Sequence, residues 1–493
     1  MNFSTFDYGV VIVYLLAVAA FGIISSGKQN SANDYFLGSK KIPWWAVCFS
    51  VVATETSTLT FISIPGLAYL TNMSFLQLAM GFILGRIIVA AIFIPRYYAG
   101  NLETAYQFLG NRFGEPMRKY ASVTFIILRI FADGVRLFTT AIPVKFITGL
   151  GYTECILIVG IITVVYAYIG GIKAVIWTDV VQMFVYMFGA IVSFVVIWQM
   201  LPGGWDDVLK FAMPTDKFQI FSLPKSFTDM FTGGYNIIGG LIGGAFLAMA
   251  SHGTDQMMVQ RLLTCKDVAS SKKAVILSGV IVFFQFAVFL VIGIMLYTLY
   301  EGVDFKTLMM NGKNLTKTDE IFPMFIVSSL PIGIAGLIVA GLLSASMSTL
   351  SSVFNSLAST TIFDLMKGSK LFTSEAQKLK YSRLATIFWA LVIMSTGLLF
   401  ESETNPAVDF ALKIQSLIYG GLLGVFLIGV FMKSADLKTA MTSYTLAILV
   451  LVLLFVLPKF GVMPALNLTW FTFFGVVISF ITAFVMIQFR KAS

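Results

Sequence analysis

Apolar runs of bilayer length recur along the whole chain, and no other feature limits its folding more. About 20 mostly apolar residues suffice for a helix to cross the hydrocarbon core. Spans of this kind are predicted near 7–26, 44–70, 75–95, 119–147, 153–170, 174–200 and 234–260, then near 273–299, 331–362, 384–400, 406–432, 439–458 and 467–489. Polar residues interrupt the spans near 44–70 and 406–432. Of the 493 residues, 58% are apolar and 12% charged, whereas a soluble domain carries about 25% charge. Segments of about ten residues that alternate apolar and polar, the mark of a membrane β-barrel, are absent. The expected fold is all-α and polytopic, with about 13 transmembrane helices and no separate soluble domain.

Composition removes several functions. In a soluble chain a net charge of +9 would suggest nucleic acid, but here an excess of Lys and Arg in cytoplasmic loops accounts for it. Three cysteines, Cys48, Cys155 and Cys265, do not make a disulfide scaffold. His252 is the only histidine, and no CxxC or HExxH motif exists, so neither structural zinc nor an intramembrane metalloenzyme has a ligand set. No nucleophile–base pair at depth is evident either. The first apolar run, Val10 to Ile24, has no basic stretch before it and reads as a retained helix rather than a signal peptide.

Charge placement sets the orientation. With the N-terminus outside, the inner loops hold Lys28, Lys40, Lys41, Arg96, Arg112, Lys173, Arg261, Lys272, Lys378, Arg383, Lys433 and Arg490 among others. The outer side keeps few bases, such as Lys145, Lys210, Lys217 and Lys225, and is rich in acids, such as Asp206, Asp207, Asp304, Glu320, Glu401 and Glu403. The bias predicts N-out, C-in. The long outer loops, 201–233 and 300–331, each have room for a short helix across the outer mouth. Tyr106, Phe108, Leu109 and Phe113 are spaced for one apolar face of an interfacial helix.

Polar groups are costly at the bilayer centre, so their positions point to an interior path. The second span reads Ala53-Thr54-Glu55-Thr56-Ser57-Thr58-Leu59-Thr60. Consecutive hydroxyls compete with helical backbone bonds, which predicts an unwound segment whose carbonyls face a cavity. A continuous helix whose hydroxyls bond back to their own carbonyls would account for the Ser and Thr residues, but not for Glu55. In the ninth span, Ala345, Ser348, Thr349 and Ser352 share a face by i, i+3, i+4 and i+7 spacing. Close helix packing would explain its small residues but not five hydroxyls; a row of neutral oxygens suits a small, hard monovalent cation. Asp179 is either such a ligand or a residue solvated at the cytoplasmic edge. Asp133 is spaced to pair with both Arg129 and Arg136, as a structural ion cluster or a ligand site. Arg86, Asp255, Asp409 and Lys413 are further charges in or near the membrane. His252 follows a glycine-rich run and is either a packing residue or a solute contact.

Five ordered motifs carry a family resemblance over nearly the whole chain. They are Asp34-Tyr35-Phe36-Leu37-Gly38, Ser63-Ile64-Pro65-Gly66-Leu67-Ala68-Tyr69, the Gly170-Gly171-Ile172-Lys173 to Asp179 stretch, Val259-Gln260-Arg261, and the hydroxyl face of the ninth span. The chain resembles the sodium/solute symporter family, which includes sodium–glucose, sodium–proline and bacterial sialic acid transporters. The resemblance implies a leucine-transporter-type 5+5 inverted repeat within a single transmembrane transporter domain, 1–493. One helix and an inside loop (1–43) precede repeat one (44–200); repeat two (234–432) is followed by two C-terminal helices (433–493). The first helix of each repeat would be broken, near Ala53–Thr60 and near Gly243–Gly253, and would face a midplane site.

By the same resemblance, sodium would be held by the carbonyls of Ala53, Thr56 and Ala345 with the hydroxyls of Ser348 and Thr349. A second ion, as in the sialic acid branch, would use Asp179, Ser348, Ser351 and Ser352. Glu55 matches a carboxylate of the proline branch. The sialic acid branch's carboxylate-reading arginine falls on Ala132 and its cavity glutamine on Ala79, which disfavours sialic acid unless Arg136 or Arg129 reaches the same place. Candidate solute contacts are Glu55, Ser57, Thr58, Thr60, Phe75, His252 and Gln256. The expected function is sodium-coupled symport of a small polar organic solute (sugar, amino acid or carboxylate) by alternating access, with one or two Na+ ions. The protein would be no enzyme, would bind no nucleic acid, and would act as a monomer in the plasma membrane, or in the inner membrane of a bacterium. A sodium-independent facilitator or channel is the alternative, although it needs no paired cation site.

Overall fold

The computed structural model describes residues 3–310, 313–400 and 406–492. Glu401 and Glu403 lie outside them, as do the side chains of Asp409 and Lys413. In chain order the helices are α1 (Thr5–Ser26), α2 (Ala32–Leu37), α3 (Trp44–Glu55), α4 (Thr58–Leu70), α5 (Leu76–Ala99), α6 (Ala105–Phe113) and α7 (Glu115–Thr148). Next come α8 (Tyr152–Met200), α9 (Trp205–Ala212), α10 (Phe227–Thr232), α11 (Gly244–Gly253), α12 (Gln256–Leu262) and α13 (Val268–Leu299). The chain continues with α14 (Ile321–Ser329), α15 (Ile334–Thr360), α16 (Glu375–Leu399), α17 (Pro406–Phe431), α18 (Leu437–Val456) and α19 (Thr469–Ala492). The one strand pair among the described residues, β1 (Met309–Met310) with β2 (Lys313–Asn314), is a two-residue antiparallel ladder between α13 and α14.

By length and apolar content, eight helices among the described residues can cross a membrane, or nine when α3 and α4 count as one bent span. The expected thirteen includes spans that fail this test because they carry charge or are interrupted. Helix α7, for instance, contains Arg129, Asp133 and Arg136. The 49 residues of α8 would make a straight rod of about 74 Å, far beyond a hydrocarbon core of about 30 Å. Gly171, at φ +54°, divides that rod into arms 152–170 and 172–200. Its positive φ favours glycine, and a Cβ there would sit 2.4 Å from the Tyr35 carbonyl oxygen. Lys173 beside it pairs with Asp34 at 2.8 Å, so two separated sequence motifs form one joint.

Helix α15 runs through the interior. From Ala335 to Thr360 nearly every residue is buried, flanked by α1, α7, α8, α16 and α3. A helix apolar or small on all sides fits such a position. The helix on Tyr106, Leu109 and Phe113 forms as spaced, but these residues are buried against the protein. Phe108 stacks on Phe426 at 5.6 Å. The expected membrane-interface face is therefore a docking face on α7 and α17, since nearby aromatic surface covers it. Short helices do occupy the two long loops: α9 and α10 in 201–233, α14 in 300–331.

Candidate functional site

The hydroxyl row of the second span breaks the helix at the expected place. Helix α3 ends at Glu55 and α4 starts at Thr58, with the two arms bent by 61°. The Thr56 hydroxyl donates back to the Val52 carbonyl at 3.0 Å. Ser57 is the N-cap of α4 and accepts from the Thr60 amide at 3.4 Å. Thr58 donates to the Leu342 carbonyl of α15 at 2.8 Å. The carbonyls of Ala53 and Thr56, left over at a helix end, receive no hydrogen bond from the described residues.

The hydroxyl face of α15 meets this broken end. Thr349 donates to the Thr54 carbonyl at 3.3 Å and to that of Ala345 at 3.2 Å. The hydroxyls of Ser348 and Ser352 lie 3.5 and 3.4 Å from that of Thr54. Thus Ala53, Thr56, Ala345, Ser348 and Thr349 belong to two segments in direct contact, without an apolar plug between their hydroxyls. Thr54 is the residue that sequence reasoning left unassigned, although it stands within the same hydroxyl row.

Asp179 is wholly buried, so it is not an edge residue solvated by cytoplasm. Its Oδ2 accepts from Ser50 at 2.5 Å, Arg261 at 3.1 Å and Thr54 at 3.4 Å, while Oδ1 has no hydrogen-bond partner. Ser352 touches both Arg261 and the Ser348 carbonyl, and Ser351 donates to that same carbonyl at 3.1 Å. The four expected second-site residues are neighbours, and Arg261 is among them. The sequence marked Arg261 as part of a motif without giving it a partner.

The solute candidates divide into three groups. Glu55 pairs with Arg86, which donates to Ser278 at 2.7 Å. His252 is buried with its Nε2 3.8 Å from Glu55 and unpartnered, while its Nδ1 meets Ser251 at 2.8 Å. Ser57 and Thr60 stand together at the α4 cap, hydroxyls 3.3 Å apart. Ser57 also lines a narrow cavity with Asp133, Arg136, Leu137, Thr140, Ser346, Thr349 and Leu350. The remaining three are engaged elsewhere. Thr58 is spent on α15, and Phe75 packs edge-on against Tyr235 and Phe286 at 5.0 and 4.9 Å. Gln256 accepts from the Ala105 amide at 2.8 Å and donates to Ser359 at 3.2 Å, which fastens α6 to α12 and α15.

The second break falls at Thr254–Asp255, at the end of the expected 243–253, where a π-helical turn (Gly239–Gly243) leads into α11. Glycine permits a break without requiring one, and the glycines here serve close approach: a Cβ on Gly81 of α5 would lie 2.2 Å from the Gly240 carbonyl oxygen. Asp255 caps α12 by accepting from the Met257 amide at 2.9 Å. It also pairs with Arg129 and accepts from Tyr419 at 2.5 Å. Asp133 bridges Arg129 at 3.1 Å and Arg136 at 2.9 Å, as the helical spacing predicts. Arg129, Asp133 and Asp255 are buried, and Arg129 pairs with both acids, so these three form an internal ion cluster, with the Arg129 Nε left without a hydrogen-bond partner.

A bent, hydroxyl-lined helix crossing an interior oxygen face defines an ion-coupled membrane transporter, and comparison with known proteins gives the family. The sodium:solute symporter family model matches residues 35–447. A sodium/sialic acid symporter of Aliivibrio fischeri is 31% identical over 91% of this chain and 87% of its own length. A second, from Proteus mirabilis, is 30% identical over 91% and 89%. The human sodium/iodide cotransporter is 26% identical over 88% of this chain and 68% of its own length. The solved structure of a substrate-bound, outward-open Na+-coupled sialic acid symporter superposes with a TM-score of 0.86 at 27% identity, covering 99% of this chain and 98% of that one. Mhp1, a nucleobase-cation-symport-1 transporter, matches at TM-score 0.53 and 12% identity over 94% and 95% of the two chains, a likeness of fold alone. The chain belongs to the sodium:solute symporter family. It is a multi-pass membrane protein of leucine-transporter-type fold and a sodium-coupled solute transporter, not an enzyme.

Proposed function

We propose that the chain imports a small polar organic solute (sugar, amino acid or carboxylate) by alternating access, with one Na+ bridging the broken end of α3 and the hydroxyl face of α15. The reading rests on one observation: the carbonyls of Ala53 and Thr56 receive no donor among the described residues, and between them the hydroxyls of Ser348 and Thr349 meet Thr54, at its hydroxyl and its carbonyl. Such oxygens can replace the hydration shell of an alkali ion without a carboxylate. Sodium bound there holds the rocking bundle against the scaffold, forming the solute cavity beside Ser57. Solute binding then stabilises occlusion and the inward swing.

A second Na+ would take the unpartnered Asp179 Oδ1 with the Ser348, Ser351 and Ser352 hydroxyls, sharing the carboxylate with Arg261. Each ion moving down 100 mV contributes about 2.3 kcal/mol, so a second site would double the electrical drive. Repeat one over 44–200 and repeat two over 234–432 would supply the two broken helices, at 56–57 and 254–255. The excess of inner-loop Lys and Arg supports N-out, C-in in the plasma membrane, or the inner membrane of a bacterium.

Purified protein in liposomes tests the reading. Solute uptake should rise many-fold with an inward Na+ gradient and collapse when the gradient is dissipated. Equal flux in both conditions would instead identify a facilitator or channel.

A further inference from the structure

A cavity of about 460 Å³ lies between α2, the link from α5 to α6, and the segment after α15, and it shares no residue with either helix break. Pockets for small molecules span about 300–1,000 Å³, so this one has room for more than bound water. Its walls carry backbone strain. Five non-glycine residues among those described have a left-handed φ, and three of them, Ser39, Lys40 and Asn101, line this cavity at +58°, +55° and +45°. L-residues with side chains seldom adopt that region, and strain of this kind gathers at ligand clamps and active sites. Lys40 and Asn101 also bind each other, Nζ to Oδ1 at 2.7 Å.

The lining selects the sign of a ligand. Lys40 is half-buried, its hydrogen-bond partner is the neutral Asn101 amide, and its ammonium lies 5.9 Å from the Tyr98 ring. Lys367 lines the same cavity and lies 3.5 Å from Glu115, a carboxylate that Arg118 already holds. The acid on the lining, Glu103, accepts from Gln107 at 3.2 Å. Two ammonium groups against one carboxylate favour an anion. The amides of Asn33 and Asn111 add N–H donors from two further helix positions. A phosphate has terminal oxygens enough for such spread donors, and lysine serves it as a point charge. Bare phosphate would fill only part of the space. The rest suits a hydroxylated body, with Glu103 to accept from it and Leu37 and Leu102 to cover its apolar face.

The two walls of this cavity also moor α12. Gln260 donates to the Phe36 carbonyl of α2 at 2.9 Å, and Gln256 accepts from the Ala105 amide of α6 at 2.8 Å. Leu37 follows Phe36 directly, and Glu103 stands two residues before Ala105. Arg261, on the same α12, reaches Asp179 at 3.1 Å. A ligand that bridges α2 and α6 therefore stiffens the seat of the helix that carries Arg261.

We propose that this cavity binds a phosphate monoester of a small hydroxylated molecule, its phosphate on Lys40 and Lys367, and that the bound ester holds α12 in place and slows transport. Binding stands apart from the sodium-symport reading above; the effect on transport rests on it.

Thermal unfolding of the detergent-solubilised protein reads the binding, since a ligand of the folded state raises its apparent stability. The probes are glucose 6-phosphate and AMP, each against glucose and adenosine, with phosphatidic acid in mixed micelles as a lipid source of the same group. At least one soluble ester should raise the unfolding temperature saturably where its unphosphorylated counterpart does not. Lys367→Gln should weaken that binding about tenfold, the order of one hydrogen bond to a charged group. Asn111→Asp sets a second carboxylate on the lining and should weaken it further. Both residues are exposed, so neither variant should lose stability without ligand. Esters that do no better than their counterparts in the wild type would overturn the site whether or not the variants fold. Stabilisation by phosphatidic acid alone, or wild-type ester affinity in both variants, would also overturn it. In proteoliposomes with the ester on both faces, sodium-driven uptake should slow in the wild type and not in Asn111→Asp. Unchanged uptake at saturating ester would overturn the hold on α12. A wild type without sodium-driven uptake would instead bring down the symport reading and leave the binding result standing.

Discussion

At the first helix break the backbone carbonyls of Ala53 and Thr56 receive no donor among the described residues, and the Thr54 hydroxyl touches those of Ser348 and Ser352 only loosely, at 3.5 and 3.4 Å. At the second break the Asp255 carboxylate meets Arg129, Tyr419 and the Met257 amide, and Arg129 in turn meets Asp133. Both breaks put polar groups deep in an apolar protein. The second engages both of its acids from within, although the Arg129 Nε there has no partner. An interior oxygen without a donor costs free energy, and the sodium proposed above would relieve that cost at the first break. The paired carboxylates tie the second break more tightly than the first.

The strongest way to break this contrast is to attack the second break. Arg129→Met leaves Asp255 without its cation and Asp133 with Arg136 alone, and losing one partner of a buried pair costs about 3–5 kcal/mol. The expected outcome is a large fall in folded yield and unfolding temperature, followed by size-exclusion and thermal unfolding. A variant as stable as wild type would show that the second break is not held by this cluster. Asp179→Asn, on the sodium side, should lower the sodium:solute stoichiometry or the Hill slope for sodium. Wild-type values of both would remove the second ion.

A finer test concerns the outer arm of the first break. Lys217 is buried in the 201–233 loop and donates to the carbonyls of Tyr69 and Thr71, at 2.6 and 2.9 Å, at the far end of α4. It also lies 4.0 Å from the Tyr297 ring, with no carboxylate partner among its contacts. Burial pushes its ammonium down to about 8. The unfolded chain keeps that proton up to about pH 10.4, so between pH 8 and 10.4 it binds more protons than the folded chain. Stability from this group therefore rises with pH across that window and is flat below it. Lys217→Met should remove this small rise from unfolding curves taken between pH 8 and 10. An unchanged slope would mean that the lysine is not desolvated.

Much of the first break was legible in the sequence because its causes are local. A hydroxyl row weakens its own helix, a serine caps the next, and i, i+3, i+4, i+7 spacing lines up Ala345, Ser348, Thr349 and Ser352 wherever the helix packs. The pairing of Asp133 with Arg129 and Arg136 was readable on the same ground. Partners distant in sequence were not: Glu55 with Arg86, Asp179 with Arg261, Arg129 with Asp255. Each of those depends on how helices cross, which no spacing encodes. The break expected near 243–253 falls just past its end, at 254–255, because glycine is equally suited to close packing and α5 packs against the glycines there. Gln256 and Phe75 were misjudged for a related reason. Type and depth suggested availability, whereas their surroundings had already engaged them.

Direct binding of radioactive sodium to the purified protein, compared with the Ser348→Ala/Thr349→Ala double variant, tests the sodium site at its source. The α3 break and its facing hydroxyls predict saturable binding in wild type, and its loss in the variant with folded yield and sodium-free unfolding temperature preserved. Sodium bound by the variant with wild-type affinity would contradict the assignment of the ion to this junction.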